Sequence, residues 1–301
     1  NTKIHTIMLT AFARKFGPTN ICDPNNLYAL SMDGVNDYAL KGGVGVMKGN
    51  LRHIWSMWIN IQAPYWPNTA LRWFWGQSIF NNNLEDFIRI YYQPLTAVNL
   101  IEFEFRYNGT ANSTKVQWAL GSAANSPITG STGSGDYWTS TNTNINKNPN
   151  GYVHLMFIYN GTSYGNSTNG TSTDLYWNGQ LLTRTLNTKS GTVQNTGATT
   201  TTHGISVNPY NNATTNCTNM YMDQFAIFSG GSEQFLANNL GLSLLTDQDY
   251  VDMMYNGGCP RYLPIDTRYP FIYNFENSLD HDIGGAPYTG YNGITYTSNH
   301  A

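Results

Sequence analysis

Apolar residues along this 301-residue chain recur mostly at every second position, in short runs bounded by Gly, Asn, Asp, Ser and Pro. A period of two sends successive side chains to opposite faces of an extended strand. Leu100–Tyr107 is the clearest case. Ile101, Phe103, Phe105 and Tyr107 fall on one side, and Glu102, Glu104 and Arg106 on the other. His53–Ile61 puts Trp55, Met57 and Ile59 on one side, with Ile54, Trp58 and Asn60 nearer the other. Phe87–Gln93 is expected to pair with Leu100–Tyr107. Further strands are expected at Leu71–Trp75, Ser78–Phe80, Lys115–Leu120, Ile205–Val207 and Met220–Phe228. Tyr152–Tyr159 (YVHLMFIY) is almost continuously apolar, the pattern of a strand covered on both faces.

The punctuation agrees with this reading. Leu27–Leu40 reads as two short arms folded as a hairpin about Asp33-Gly34-Val35-Asn36-Asp37, since Asp-Gly favours strand reversal. Asp174–Trp177, Asn178-Gly179 and Gln180–Thr185 form a type I′ hairpin signature. One helix is predicted, Thr246–Asn256, with Thr246 as cap, Asp249 completing a capping box and Gly257-Gly258 ending it. Residues 121–150, 160–173 and 186–204 are polar and read as surface excursions. Tyr269–Phe275 is a late extended segment, and the chain closes on a turn-rich stretch at Gly293–Thr297. The division expected is an arm at 1–26, an all-β antiparallel jelly-roll sandwich at 27–258, and a segment at 259–301 that supplies a closing strand. Neither a βαβ alternation nor a fixed-period repeat is present.

Composition narrows the function. Hydrophobic residues make up 40%, enough for a sizeable core, but charged residues only 11%, against about 25% in an ordinary soluble protein. Asn, Thr, Ser and Gly take their place. Either a biased composition covers a solvated β surface, or the chain is a subunit of a dense assembly with little self-repulsion. A formal charge of −3 with scattered Lys and Arg lacks the footprint of a nucleic-acid binder. No apolar run of membrane-spanning length occurs, so no membrane insertion is expected. Asn1–Thr10 lacks the apolar stretch of a secretory signal, and an initial Asn suggests processing or an upstream part. Cys22, Cys217 and Cys259 have no metal-binding spacing. The simplest reading is three unpaired thiols in a protein assembled inside a cell. A Cys22–Cys259 bridge is the alternative.

Four pieces in order resemble the laminin-G-like, concanavalin A-like jelly-roll family. They are Leu30–Tyr38, Tyr152–Tyr159 with Leu175–Gly179, Met222–Phe228, and Leu245–Gly258. Phe275–Asp280 through Tyr291–Tyr296 resembles what normally begins such a domain. It is read as a permuted strand completing the same sandwich, in preference to the head of a second copy. The fold together with Asn/Thr/Gly-rich loops is similar in style to virion proteins of tailed, especially marine, phages.

The resemblance directs attention to particular residues. Glucan hydrolases of this fold carry Glu-x-Asp-x-(x)-Glu on one strand. Glu102-Phe103-Glu104 is the nearest run, but it lacks the intervening Asp and third carboxylate and is read as a solvated face with a local ion pair. No nucleophile elbow, His-Glu-x-x-His or phosphate loop occurs. The histidines stand singly, and His154 is read as a core side chain. No cofactor is expected, although the family's usual ion is calcium. Asp33, Asn36 and Asp37 are candidate ligands, with Asp280, His281 and Asp282 a weaker set; turn acids also commonly bond their own backbone. For sugars, the loop-borne aromatics Tyr65 and Trp66 and the group Asp136, Tyr137 and Trp138 are the candidates, against the reading that they anchor their loops or meet a neighbouring subunit. Seven Asn-x-Ser/Thr sequons (Asn108, Asn112, Asn160, Asn166, Asn169, Asn212, Asn216) are read as chance in a chain of phage type. The expected function is a non-enzymatic virion surface protein, a capsid- or tail-associated subunit binding its own copies or other virion subunits and touching cell-surface glycans. A secreted, extracellular lectin-like module is the alternative, and a glycoside hydrolase the third reading.

Overall fold

The computed structural model describes residues 28–44, 52–61, 72–79, 84–93, 98–107, 112–120, 151–160, 173–190, 200–206, 217–229, 232–243, 246–260, 263, 271–275, 289–291 and 294–298. Among them are two eight-stranded antiparallel sheets. Sheet A runs β10 (Gln180–Leu181), β9 (Thr173–Trp177), β8 (Val153–Tyr159), β3 (His53–Ile61), β13 (Asn219–Ser229), β1 (Ala29–Asp33), β16 (Thr295–Thr297), with β14 (Phe271–Tyr273) also on β13. Sheet B runs β11 (Leu186–Ser190), β7 (Asn112–Leu120), β6 (Val98–Tyr107), β5 (Leu84–Gln93), β4 (Arg72–Ile79), β12 (Thr200–Ile205), β2 (Tyr38–Val44), β15 (Thr289–Tyr291). The chain passes repeatedly from one sheet to the other, giving a jelly-roll β-sandwich.

The alternation read in the sequence builds the core. Trp55, Met57 and Ile59 of β3 face Ile101 and Phe103 of β6 and Val116 and Trp118 of β7, all buried in one cluster. Their rings interlock: Trp55 meets Phe103 edge-on at 4.9 Å, and Trp118 meets Phe157 at 5.8 Å. Sheet A has a second buried face. Ile54, Met156, Ile158, Ala226 and Phe228 are covered by Leu236 and Ala237 of α1 (Ser232–Asn239) and Val251, Met253 and Met254 of α2 (Asp247–Tyr255). This second cover is why the β8 sequence is apolar without interruption. Arg52 ties the cover down. It is paired with Glu233 at 3.0 Å and Asp247 at 2.7 Å, and stands over the Tyr250 ring.

The helix prediction holds in detail. Thr246 caps α2 in a reciprocal box with Asp249, and Asn256 ends it in the left-handed conformation, φ 46°. A second helix, α1, escaped prediction because SEQFLANN has little apolar periodicity: of its four buried residues only Leu236 and Ala237 are apolar, the others being Ser232 and Glu233. Among the described residues there are therefore two short α-helices where one was expected. Asn178 and Gly179 take φ 48° and 83°, as a type I′ hairpin requires.

Other expectations are corrected. Leu27–Leu40 is not a hairpin. β1 pairs with β13 and β16, whereas β2 pairs with β12 and β15, so Asp33–Asp37 is a corner between the sheets. The reason lies in the arms, since Leu30, Met32 and Ala39 all reach the one core between the sheets. A Cβ on Gly34 would lie 2.5 Å from that of Asn219, and its φ of +75° also demands glycine. Leu71–Trp75 and Ser78–Phe80 are not two strands. Arg72–Ile79 runs through as one, with an irregularity between Trp73 and Trp75. Gly76, which reads as a breaker, pairs with Gly204 mid-sheet. Residues 186–204 are not one excursion, because β11 and β12 lie in them. The three thiols are not all unpaired either. Cys259 is in a disulfide, while Cys217 is a free, buried thiol. Cys22 and the arm at 1–26 lie outside the described residues. Late in the chain, β14 takes over along β13 beyond β1, β15 adds to β2, and β16 adds to β1.

Candidate functional site

Strand register fixes which connections share an end of the sandwich. β1 ends at Asp33 opposite Asn219, and β3 ends at Ile61 opposite Met220. β8 begins at Val153, next to the end of β3, and β9 ends at Trp177 beside Leu155. In sheet B, β7 ends at Leu120 opposite Asn99 of β6, and β4 begins at Arg72 opposite Ile90. The corner at 34–37 joins the sheets at this rim. Thr218 reinforces the join, donating through Oγ1 to the Trp73 carbonyl at 2.6 Å. The segments 62–71 and 121–152 therefore depart from and return to one rim. Tyr65, Trp66, Asp136, Tyr137 and Trp138 themselves lie outside the described residues, as do Asp280, His281 and Asp282.

The corner is held by its own side chains. Asp33 Oδ1 accepts from the Val35 amide at 2.8 Å and from that of Asn36 at 3.4 Å, and Asp37 Oδ2 accepts from the Asp33 amide at 3.0 Å. Burial pushes the Asp37 carboxyl above its usual range; the Asp33 amide works against this and the Asp33 charge adds to it. Asp33 Oδ1 and Asp37 Oδ2 are thus spent on backbone, while Asp37 Oδ1 is buried without a hydrogen-bond partner. Among the described residues no group of three or more His, Cys, Asp or Glu is arranged to hold a metal ion.

The acid pair of β6 is the second candidate, and its environment is not the solvated face expected. Glu102 and Glu104 are buried, at 0% and 1% exposure. Arg89 of β5 stands directly across from Glu102 and donates through Nε to its Oε1 at 2.6 Å. Gln117 of β7 donates to Oε2 at 2.5 Å. Lys115 reaches both acids, at 3.4 and 3.5 Å, and Arg89 also approaches Glu104 at 3.6 Å. Arg89 lies over the Trp73 ring as well. Burial alone would raise the Glu102 carboxyl, but the Arg89 and Lys115 charges with the Gln117 and Arg89 hydrogen bonds hold it below its ordinary range. Ion pairing is present, but buried and made with Arg89 and Lys115 of the neighbouring strands, where a local pair on a solvated face was expected.

His154 is a core side chain, as read. Its Nε2 lies 2.8 Å from Ser56 Oγ, its ring packs against Trp58 and Tyr255, and burial pulls its imidazole down to about 3. It is neutral under α2. Sequence reasoning missed the partly exposed tyrosines beside it, Tyr221 and Tyr255, which pack on Ala29, Trp58 and Tyr152. Tyr221 alternates with core methionines and carries no motif that would single it out.

No family model matches the sequence, and no curated protein matches it. Solved structures do. A "putative carbohydrate binding protein" from Bacteroides ovatus aligns over 90% of this chain and 59% of its own, with TM-score 0.44 and 12% identity. Botulinum neurotoxin type C, whose cell entry depends on two ganglioside molecules, aligns over 79% and 52%, with TM-score 0.37 and 14% identity. The binding domain of botulinum neurotoxin DC, in complex with rat synaptotagmin II, aligns over 79% and 53%, with TM-score 0.37 and 14% identity. The chain thus spans 52–59% of the length of these structures.

Proposed function

We propose that this chain is a non-catalytic, glycan-binding surface protein of a phage particle, built on a concanavalin A-like sandwich and meeting its ligand at the rim where β3 and β7 end. The observation that carries the reading is the register: both aromatic-bearing segments, with Tyr65-Trp66 and Asp136-Tyr137-Trp138, are anchored at that one rim. Stacking platforms flanked by amides suit a neutral sugar, and a rigid sandwich is a suitable support for loop-borne recognition.

The interior acids support binding over hydrolysis. A glycosidase needs one carboxyl protonated to donate to the leaving oxygen. Glu102 and Glu104 are both buried, with Arg89, Gln117 and Lys115 on their oxygens, so neither is presented to a leaving oxygen. The particle setting rests on composition, since 11% charged residues leave a neutral surface that packs against copies with little to desolvate. Titrating neutral oligosaccharides into wild type and into Trp66→Ala and Trp138→Ala tests the ligand. Micromolar binding without release of shorter sugars, weakened about tenfold by either change, is expected. Turnover abolished by Glu102→Gln would instead make the chain a hydrolase.

A second reading has one observation behind it. Cys259 in a disulfide favours an oxidising setting, which suits a secreted lectin-like module as well as a virion surface. Sedimentation separates the two: the particle reading expects oligomers or particle association, and the secreted module a monomer.

A further inference from the structure

The helices α1 and α2 cover only part of the outer face of sheet A. Toward the rim, that face carries a cross-strand row free of helix cover. Asn60 of β3 stands opposite Tyr221 of β13, which stands opposite Ser31 of β1, which stands opposite Thr295 of β16. Paired residues share a face, so the four line up as amide, phenol, hydroxyl and hydroxyl. Exposure rises along the row: Asn60 is buried, Tyr221 and Ser31 are half-buried, and Thr295 is exposed. Beside Tyr221 the floor drops to Ala29, and Tyr255 rises at the end of α2, its ring stacked on Trp58 at 5.9 Å and 14°.

Every residue of this row is neutral. Among the described strand residues of this face, the charged groups beside the row are acids: Asp33, exposed and two residues along β1 from Ser31, and Asp223, buried opposite Trp58. An acidic ligand would meet repulsion from both, with no cation among the described residues of the row. A neutral polyhydroxyl compound would meet the reverse: two phenol rings for its apolar faces, and the Ser31 and Thr295 hydroxyls in line for its own.

We propose that the Tyr221–Ser31–Thr295 strip, with Tyr255 beside it, is a second saccharide-binding site, for a neutral oligosaccharide laid across β13, β1 and β16. It rests on the glycan-binding reading above but uses none of the same residues. A linear sugar would run across the strands toward the sheet edge at β16, where Thr295 is open to solvent.

Calorimetric titration of laminarihexaose, maltohexaose and chitohexaose into the full chain tests it, with thermal melts to confirm folding. Tyr221→Ala and Thr295→Arg should each weaken the binding sugar about tenfold, while Tyr221→Phe, which keeps the ring, should stay within about twofold. Thr295 is exposed, so its variant remains informative if Tyr221→Ala unfolds. Unchanged affinity in folded Thr295→Arg and Tyr221→Ala would overturn the strip. If only Trp66→Ala and Trp138→Ala lose affinity, the strip fails and the rim stands. If no sugar of the panel binds, both fail.

Discussion

Lys41 points inward from β2, almost fully buried, with Nζ 2.5 Å from the Tyr273 hydroxyl and 5.3 Å from its ring centre. Burial lowers its amine from the ordinary 10.5 to about 8. Between those values the unfolded chain holds a proton that the folded chain does not, so stability should rise with pH across that window. Urea unfolding from pH 7.5 to 10.5 should show the rise in wild type, and Lys41→Met should flatten it. Glu102 acts with the same sign in the acid range. Its folded carboxyl sits below the ordinary 4.5, so its stabilisation is present above that value and is lost as pH falls through the depressed one. Arg89→Met removes the guanidinium that Glu102 and Glu104 share. It should cost about 3 kcal/mol in urea unfolding at neutral pH, because it strands a buried charge.

Among elements, α2 is the one whose limits are written in its own residues. Thr246→Ala removes the hydroxyl that accepts from the Asp249 amide at 3.2 Å and should lower stability by about 1 kcal/mol, read by chemical denaturation. Strands were legible wherever the apolar pattern was strong, by alternation in β3, β6 and β13 and by an almost continuous apolar run in β8. β11 and β12 were not, because LNTKS and TTTHGI are mostly polar and owe their conformation to β7, β4 and β2. The Asp33–Asp37 turn shows a different limit. Local chemistry announces a reversal of direction, but whether the arms pair or part into two sheets is decided by distant partners, β13 and β12. The Glu102–Glu104 pair was visible as a pair. Its burial was not, since no local pattern says what covers the outer face of a strand.

At the scale of the whole molecule, the described residues form a sandwich with a large aromatic core, a helical cover over part of sheet A, and a rim at which the strands flanking 62–71 and 121–150 end. Few charges occur, and the acids of β6 are buried and paired with Arg89 and Lys115. The central claim is that this rim binds a neutral glycan without cleaving it. A glycan array probed with the wild-type chain and the Trp66→Ala/Trp138→Ala double variant tests that most directly. The account predicts a defined set of neutral glycans retained by wild type and lost by the double variant, with the arrayed sugars intact afterwards. Equal retention by both proteins, or no retention by either, would contradict it.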